Sequence, residues 1–227
     1  MATNMASARE QAQKPAKRGR PKKSAAEKSA TRQKIVKTAS TLFKAEGFEA
    51  ISMRRIAKEL KLSPMALYAY FPTKLAILSR LWIEILEEVG EEMRIAADKL
   101  TDAEERLIAL SMTYVSYWLE RRDYYHIVFM SSGLTREDVT EFVREGSAVA
   151  QFDPFFIATA EAMHAEQDSP AVKLKTDQLI CGLHGIMHCL ITVPGYSWSS
   201  ANALVTSMVK DIKPVSRIEG AERNFKD

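Results

Sequence analysis

The chain has 227 residues, of which 46% are apolar and 27% charged, and its formal net charge is +3. This composition predicts a globular chain with a substantial core, divided into one small and one larger domain. The longest weakly polar run, residues 179–195, is interrupted by His184 and His188 and therefore favours a buried helix over a membrane span. No apolar secretion segment follows the basic N-terminus. Cys181 and Cys189 lie too far apart on one helix to form a disulfide, which favours a reducing cytoplasm.

The small net charge hides a strong difference between the two ends of the chain. Residues 1–75 contain 17 Lys and Arg against 5 Asp and Glu, a local charge of +12. The remaining residues contain 15 basic against 24 acidic side chains, a local charge of −9. Such a division predicts a nucleic-acid-binding module at the N-terminal end, joined to a domain with a different role.

The first 30 residues are rich in Ala, Ser, Gln and Lys without apolar periodicity, so a disordered basic arm is predicted over 1–30. Within it, the sequence KRGRPKK at 17–23 resembles an AT-hook, a segment whose Arg-Gly-Arg-Pro core lies in the minor groove of A·T-rich DNA. A narrow A·T groove attracts arginine electrostatically, which would place Arg18 and Arg20 there. The alternative is a solvated basic tail that contacts phosphates without sequence preference.

Three helices are predicted next. The first, over 31–47, carries a single apolar stripe, and the second and third, over 52–60 and 63–71, are separated by only two residues. Helix, tight turn and helix in this order predict a helix-turn-helix module. The residues predicted to face its core are Ile35, Val36, Ala39, Leu42, Phe43, Phe48, Ile51, Ile56, Ala57, Leu60, Leu67 and Phe71.

The residues SPMALYAYFPTK, at 63–74, closely resemble the signature of the TetR family of transcriptional regulators, in which a short recognition helix ends in Tyr-x-x-Phe followed by a Lys. The resemblance implies an all-α fold with an N-terminal three-helix helix-turn-helix DNA-binding domain and a C-terminal helical-bundle effector-binding and dimerisation domain. We assign these domains to 31–76 and 77–213, with a flexible tail over 214–227.

The DNA contacts are predicted on the second and third helices. Small residues in the third helix permit close approach to the major groove, where Met65 and Ala66 could touch thymine methyl groups. The resemblance implies phosphate contacts from the start of the second helix and from the positions of Tyr68, Tyr70 and Lys74. The alternatives are a charged face that is only solvated and a Tyr68 that only packs. The full set of predicted contacts is Arg18, Arg20, Ser52, Arg54, Arg55, Ser63, Pro64, Met65, Ala66, Tyr68, Tyr70 and Lys74.

A long helix follows, capped by Thr73, with apolar residues at helical spacing from Leu75 to Leu86. In the TetR family this element joins the DNA-binding domain to the effector domain. A rigid connector of this kind could convert ligand occupancy into a change in the spacing of two DNA-binding heads.

From Asp102 onward the chain is again predicted to be helical, with breaks near 123, 133, 146, 169 and 194. The segment 102–133 and the later Leu-His-Gly at 183–185 resemble, more loosely, one subclass of TetR effector domains. The aromatic residues of this region form either a core or the wall of a ligand pocket. The candidate effector-binding residues are Tyr114, Tyr117, Trp118, Phe129, Phe152, Phe156, His184 and His188.

Cys181, His184 and His188 share one helical arc, and His126 and His164 could approach them from other helices. Thiolate and imidazole ligands on one face could hold zinc, copper or nickel. The alternative, which we favour, is a set of core and surface side chains with no metal and no other cofactor.

Two final helices are predicted over 171–193 and 199–212, and their counterparts in the family pair with a second subunit as a four-helix bundle. The sequence therefore predicts a homodimeric, ligand-responsive regulator, a repressor that binds a palindromic operator in double-stranded DNA and is released by a small organic effector. The alternatives are a low-specificity binder of A·T-rich DNA and a transcriptional activator on the same scaffold. Because no catalytic motif is found, we do not expect an enzyme. Because no run is long and apolar enough for a membrane span, we expect no membrane partner.

Overall fold

The computed structural model describes residues 24–131, 134–144 and 150–213, and its regular elements within these ranges are helices without a strand. The all-α fold class is thereby confirmed. Within the same ranges, no helix has the length and apolar character needed to cross a membrane. The helices are α1 (Ala25–Glu46), α2 (Met53–Glu59), α3 (Pro64–Tyr68), α4 (Lys74–Ala97), α5 (Ala103–Glu120), α6 (Arg122–Phe129), α7 (Arg136–Arg144), α8 (Asp153–Met163), α9 (Pro170–Thr192) and α10 (Ala201–Lys210).

Short polar side chains begin the helices of the N-terminal domain, as the sequence predicted. Ser52, Ser63 and Thr73 each accept a hydrogen bond from the backbone N–H three residues later, at 3.0–3.2 Å. These bonds satisfy N–H groups that have no partner within the helix. Gly47 ends α1 with a φ of +81°, a backbone conformation that residues with a Cβ rarely adopt.

The first helix starts earlier than the sequence predicted, at Ala25 instead of residue 31. Ser24 and Glu27 form a capping box in which the Ser24 hydroxyl accepts from the Glu27 N–H and the Glu27 carboxylate accepts from the Ser24 N–H. Residues 24–30 therefore belong to the helix and not to a disordered arm. The prediction failed there because these first turns are exposed almost throughout and carry no apolar stripe. Residues 1–23, with the AT-hook-like sequence, lie outside the described residues.

The N-terminal domain, here called the head, consists of α1, α2 and α3. The predicted core is confirmed, since all of its residues are buried except Leu60, which is partly buried against the others. Leu67 is the one buried residue of α3, and it anchors this five-residue helix to the rest of the head. The connector α4 then packs against α1 on one side and α5 on the other.

In the C-terminal region, α5 lies at the centre and contacts α4, α8, α9 and α10. The predicted final helices agree with α9 and α10 to within two residues at each end. Gly182 allows these two helices to approach closely, because a Cβ at that position would lie 2.6 Å from Met208 Sδ. The predicted break near 133 falls between α6 and α7, and the one near 146 lies outside the described residues.

Candidate DNA-binding surface and aromatic cluster

The outer face of α3 is exposed and carries small or apolar side chains. Ser63 and Pro64 are exposed, and Met65 has 83% of its surface accessible. Leu67, on the opposite face, has 0%. Leu67 therefore anchors α3 to the core of the head, and the residues predicted to face the groove remain accessible to a large partner.

The two arginines at the start of α2 have different surroundings. Arg55 forms ion pairs with Glu59 at 2.6 Å and with Glu46 at 3.2 Å. Arg54 is exposed and forms no ion pair with the residues that the structure describes. Of the two alternatives for a phosphate contact, Arg54 is therefore the available one, whereas Arg55 connects α2 to the end of α1. Ser52, which is exposed, uses its hydroxyl as the helix cap.

The two tyrosines at and just after the end of α3 differ in their exposure. Tyr68 is 51% exposed and therefore accessible to a partner, whereas Tyr70 is half-buried against the core. Lys74 has an unexpected partner, because its Nζ donates to the Phe48 carbonyl oxygen at 2.7 Å and lies 4.0 Å from the centre of the Phe48 ring. Partial burial lowers the pKa of Lys74. An ammonium has three N–H donors, so two remain for a phosphate.

Most candidate effector residues come together in one aromatic cluster, formed by side chains of α5, α6, α8 and α9 and the residue before α8. Tyr114 Oη and His184 Nε2 lie 3.0 Å apart and are hydrogen-bonded. The Phe129 ring packs edge-on against His184 at 4.8 Å and against Trp118 at 4.9 Å between centroids. Phe152, which immediately precedes α8, lies 6.0 Å from Tyr114. Edge-to-face contacts of this kind are the favoured geometry of aromatic pairs.

Two members of the cluster are not among the candidate effector residues, although the sequence places Phe155 among the aromatic residues of the interior. Tyr125 packs against Trp118 and Phe129, and its hydroxyl lies 3.4 Å from Nδ1 of the exposed His188. Phe155 lies 5.9 Å from Tyr114. Spacing could have found both residues, because Tyr125 precedes Phe129 by four positions and Phe155 follows Phe152 by three.

Two predicted effector residues lie at the edge of the cluster or beyond it. The Tyr117 ring contacts Trp118 at 5.2 Å between centroids, but the rest of its side chain has other neighbours. Tyr117 is buried on the α4 side of α5, where the Arg121 guanidinium lies 4.2 Å from its ring centre. Burial, followed by the nearby carboxylate of Glu88, raises its pKa. Phe156 is half-buried and makes none of the ring contacts recorded for the described part of the cluster.

The cluster is uncharged. Burial lowers the pKa of His184 and raises that of Tyr114, so the imidazole is neutral and the phenol protonated near neutral pH. Within the described ranges, no group of three His, Cys, Asp or Glu side chains could hold a metal ion. His184 instead bonds to Tyr114, while Cys181 and His188 are exposed.

Helix α6 connects the aromatic cluster to the head. Its Tyr125 and Phe129 belong to the cluster, whereas its first turn contacts α1, where Lys44 Nζ lies 2.6 Å from Asp123 Oδ2 and 3.7 Å from the centre of the Tyr124 ring. The Trp82 indole N–H of α4 donates to the carbonyl oxygen of Ile127 at 3.1 Å, in a buried position. One short helix thus contacts the head, the connector and the cluster.

Within the described residues, the helices of the head, with the exposed face of α3 on a basic module, have the layout of a helix-turn-helix DNA-binding domain. Residues 35–81 match the family model described as "Bacterial regulatory proteins, tetR family". The matched residues span the C-terminal half of α1, all of α2 and α3, and the first part of α4.

Two relatives in sequence are described as HTH-type transcriptional regulators. The chain is 27% identical over 130 residues to the "Probable HTH-type transcriptional regulator YttP" of Bacillus subtilis, covering 55% of this chain and 63% of that protein. It is 27% identical over 115 residues to the HTH-type transcriptional regulator HbdR of Aromatoleum sp., covering 51% and 50%. These alignments therefore span less than two thirds of either relative.

Among solved structures, the TetR family transcriptional regulator PfmR from Thermus thermophilus shares the fold, with a TM-score of 0.56 and 19% identity. The superposition covers 78% of this chain and 96% of PfmR.

Proposed function

We propose that the protein is a ligand-responsive repressor that binds a palindromic operator as a homodimer and is released by a small organic effector. The observation that carries the proposal is the exposed face of α3, with Met65 83% accessible while Leu67 is fully buried. Phosphate contacts from Arg54, Tyr68 and the free donors of Lys74 would position this face in the major groove.

A dimer follows from the geometry of DNA, since two heads about 34–36 Å apart can read two half-sites of a palindrome. An exposed stripe along α9 supports a dimer. Its positions recur every three or four residues and include Leu174, which is 61% exposed. An apolar residue this accessible, on a stripe of small and polar neighbours, favours a helix-to-helix contact with a second subunit. The stripe consists of Ala171, Leu174, Gln178, Cys181, Gly185 and His188.

Effector release requires a physical connection between the ligand site and the head. Helix α6 supplies the contacts for such a connection, because it contributes Tyr125 and Phe129 to the cluster and pairs Asp123 with Lys44 of the head. A ligand that displaces one end of α6 would move the contacts at the other end. The orientation of the head, and with it the spacing of two recognition helices, would then depend on occupancy of the cluster.

The basic arm adds a second DNA contact in this proposal. With α1 starting at Ala25, the sequence at 17–23 lies immediately before the first turn of the head's leading helix. Arg18 and Arg20 would enter the minor groove beside the site occupied by α3, in the manner of an N-terminal arm. Removing residues 1–23 would weaken operator binding and reduce its salt dependence.

The test is a titration of the full-length protein on fragments of its own promoter region and on random DNA of equal length, at several salt concentrations. We expect preferential binding to one promoter fragment, with an affinity that falls steeply as salt rises. Arg54→Gln should lower the affinity for all fragments and reduce the salt slope, while Met65→Ala should reduce the preference. Lys210→Gln, at the far end of α10, is the matched control for loss of a positive charge.

Equal affinity for promoter and random DNA would overturn the repressor and leave a low-specificity DNA-binding protein. A promoter fragment whose transcription rises when the protein is added would instead support an activator. We expect no turnover of any effector, because nothing in the fold or in the relatives described above points to catalysis.

A further inference from the structure

We propose that the aromatic cluster binds an uncharged aromatic compound carrying a hydrogen-bonding oxygen, and that the ring of this compound takes the place of the Phe129 ring. This inference rests on the effector-responsive function proposed above and names the chemical class of the effector. Three independent features of the cluster carry it: unsatisfied polar atoms, a lack of charge, and one displaceable ring.

The first feature is a set of buried polar atoms without partners. Ser111 Oγ, Trp118 Nε1 and Thr159 Oγ1 complete no hydrogen bond with the residues that the structure describes, and all three side chains belong to buried residues with 0% exposure. Buried groups of this kind are hydrogen-bonded in the great majority of proteins, because an unsatisfied one costs free energy. The α5–α8 interface therefore has hydrogen-bonding capacity that its own packing does not use.

These atoms border the cluster. Ser111 and Trp118 lie three positions before and four positions after Tyr114, so all three share one face of α5. Thr159 lies four positions after Phe155 and likewise shares its face of α8. The Trp118 indole N–H completes no hydrogen bond of standard geometry, although its interaction with the Tyr114 hydroxyl offsets part of the rise that burial causes in the Tyr114 pKa. An oxygen atom of a ligand could accept from the indole and exchange hydrogen bonds with either hydroxyl.

The second feature is the lack of charge. No ring contact recorded for the described part of the cluster involves Lys, Arg, Asp or Glu, since the cation–ring contacts fall elsewhere, as for Lys44 on Tyr124 and Arg121 on Tyr117. His184 is neutral, as argued above. A carboxylate or ammonium would lose its hydration here without meeting an opposite charge, at a large cost in free energy. The site therefore favours an uncharged ligand.

The third feature is Phe129, whose side chain is 39% exposed although its ring contacts Trp118, Tyr125 and His184 at 4.8–5.2 Å. Phe129 is the last residue of α6, and helix ends open more easily than helix interiors. A ligand ring in the same place would preserve the edge-to-face contacts with the three neighbouring rings. Entry of the ligand would also displace the end of α6, the helix that contacts the head.

The experiment uses the full-length protein and three probes of similar size: acetophenone, benzoate and benzylamine. Phe129→Ala opens the space of one ring, and Phe156→Ala removes a ring outside the cluster as the matched control. By titration calorimetry, we expect the Phe129→Ala variant to bind acetophenone at least about tenfold more tightly than either ion. The Phe156→Ala variant should gain no affinity. Binding of benzoate or benzylamine as tightly as acetophenone would overturn the proposal.

A second variant tests the hydrogen bonds without relying on a cavity. Thr159→Val keeps the shape of the side chain and removes the unsatisfied hydroxyl, so we expect a higher Tm in the absence of ligand. In the Phe129→Ala background the same change should weaken acetophenone binding by about fivefold, because the ligand oxygen loses a partner. A hydroxyl that serves packing alone would leave this affinity unchanged, and that result would contradict its place in the site.

The failure of this inference can be distinguished from failure of the proposed repressor. If acetophenone binds the cluster but leaves the affinity for promoter DNA unchanged, the ligand class stands and effector release is overturned. If a ligand releases DNA equally from the wild-type, Phe129→Ala and Thr159→Val proteins, release stands and the cluster is not its site.

Discussion

The recognition helix α3 and the aromatic cluster differ in how they combine stability with function. In α3 the two roles belong to different residues, since Leu67 is fully buried and Met65 is 83% exposed. In the cluster, the effector site that we propose would use the same side chains for both, because Tyr114 and Trp118 are core residues with 0% exposure. A surface for a large rigid partner can be preformed, whereas a site for a small organic molecule must exchange core contacts for ligand contacts. Substitutions should therefore separate stability from function in the head and fail to separate them in the cluster.

The largest expected effect is at Leu67. Leu67→Ala removes the one buried side chain of α3, and we expect the free energy of unfolding to fall by about 3 kcal/mol, as for other buried leucines. Met65→Ala, two positions earlier on the exposed face, should change stability by less than about 0.5 kcal/mol. Urea unfolding followed by circular dichroism measures both. The comparison fails if Met65→Ala destabilises the chain as much as Leu67→Ala does.

In the cluster, Tyr114→Phe should destabilise the chain by about 1–2 kcal/mol, because the change leaves the Nε2 atom of the largely buried His184 without its partner. The same variant should also change the affinity for an uncharged aromatic ligand, which the head variants should not do. Tyr196→Phe, on a side chain that is 63% exposed, is the matched control and should have no effect on either quantity. A Tyr114→Phe protein with unchanged stability would show that the hydrogen bond contributes little.

The contrast between the head and the aromatic cluster also explains how much of each could be predicted from the sequence. The structure of the head could be predicted because its sequence signals are local. Ser52 and Ser63 cap helices, and the spacing of apolar residues indicates the buried face. The sequence did not reveal that Lys74 also bonds to the carbonyl oxygen of Phe48, 26 positions away, or that α1 includes its exposed first turns. Apolar spacing carries no signal for either, although Ser24 and Glu27 have the spacing of a capping box.

For the cluster, the sequence could predict only a list of aromatic residues. Which of them come together depends on how four helices are rotated against one another. Tyr114 and Tyr117 lie three positions apart on α5, yet Tyr114 faces α8 and α9 while Tyr117 lies beside Arg121 on the α4 side. The breadth of the arc that a helix buries is a tertiary property. Sequence spacing could group Phe129 with Tyr125, but it could not choose between the two sides of α5.

A smaller effect is expected from pH, again confined to the cluster. Burial lowers the pKa of His184 below its ordinary value of 6.5, so the folded chain binds this proton less readily than the unfolded chain. As the pH falls through about 6.5, the unfolded state is protonated first, and stability declines by at most about 1.4 kcal/mol for each pH unit until the folded state also protonates. Above that window the contribution of His184 is constant.

Urea unfolding of the wild-type protein and of His184→Gln between about pH 8 and pH 5.5 measures this contribution. The other histidines are present in both proteins, so their contributions cancel in the difference. We expect the wild-type protein to lose more stability on acidification than the variant. A parallel decline in both proteins would mean that His184 titrates alike in the folded and unfolded states.

The smallest expected effect lies between the two regions, at the contact of α1 with α6. Lys44 and Asp123 form an ion pair whose side chains are 31% and 47% exposed, so a double-mutant cycle with Lys44→Met and Asp123→Asn should give a coupling energy of about 0.5 kcal/mol.

If the pair also sets the orientation of the head, each single variant should change operator affinity by about twofold, and the double variant should change it no further than either single one. The exposed pair of Lys173 and Asp177 within α9 is the control, with a similar coupling energy but no effect on operator affinity. Equal operator affinity in all Lys44 and Asp123 variants would mean that the pair fastens α1 to α6 without influencing DNA recognition, and the route from the cluster to the head would then have to run through Trp82 and the connector α4.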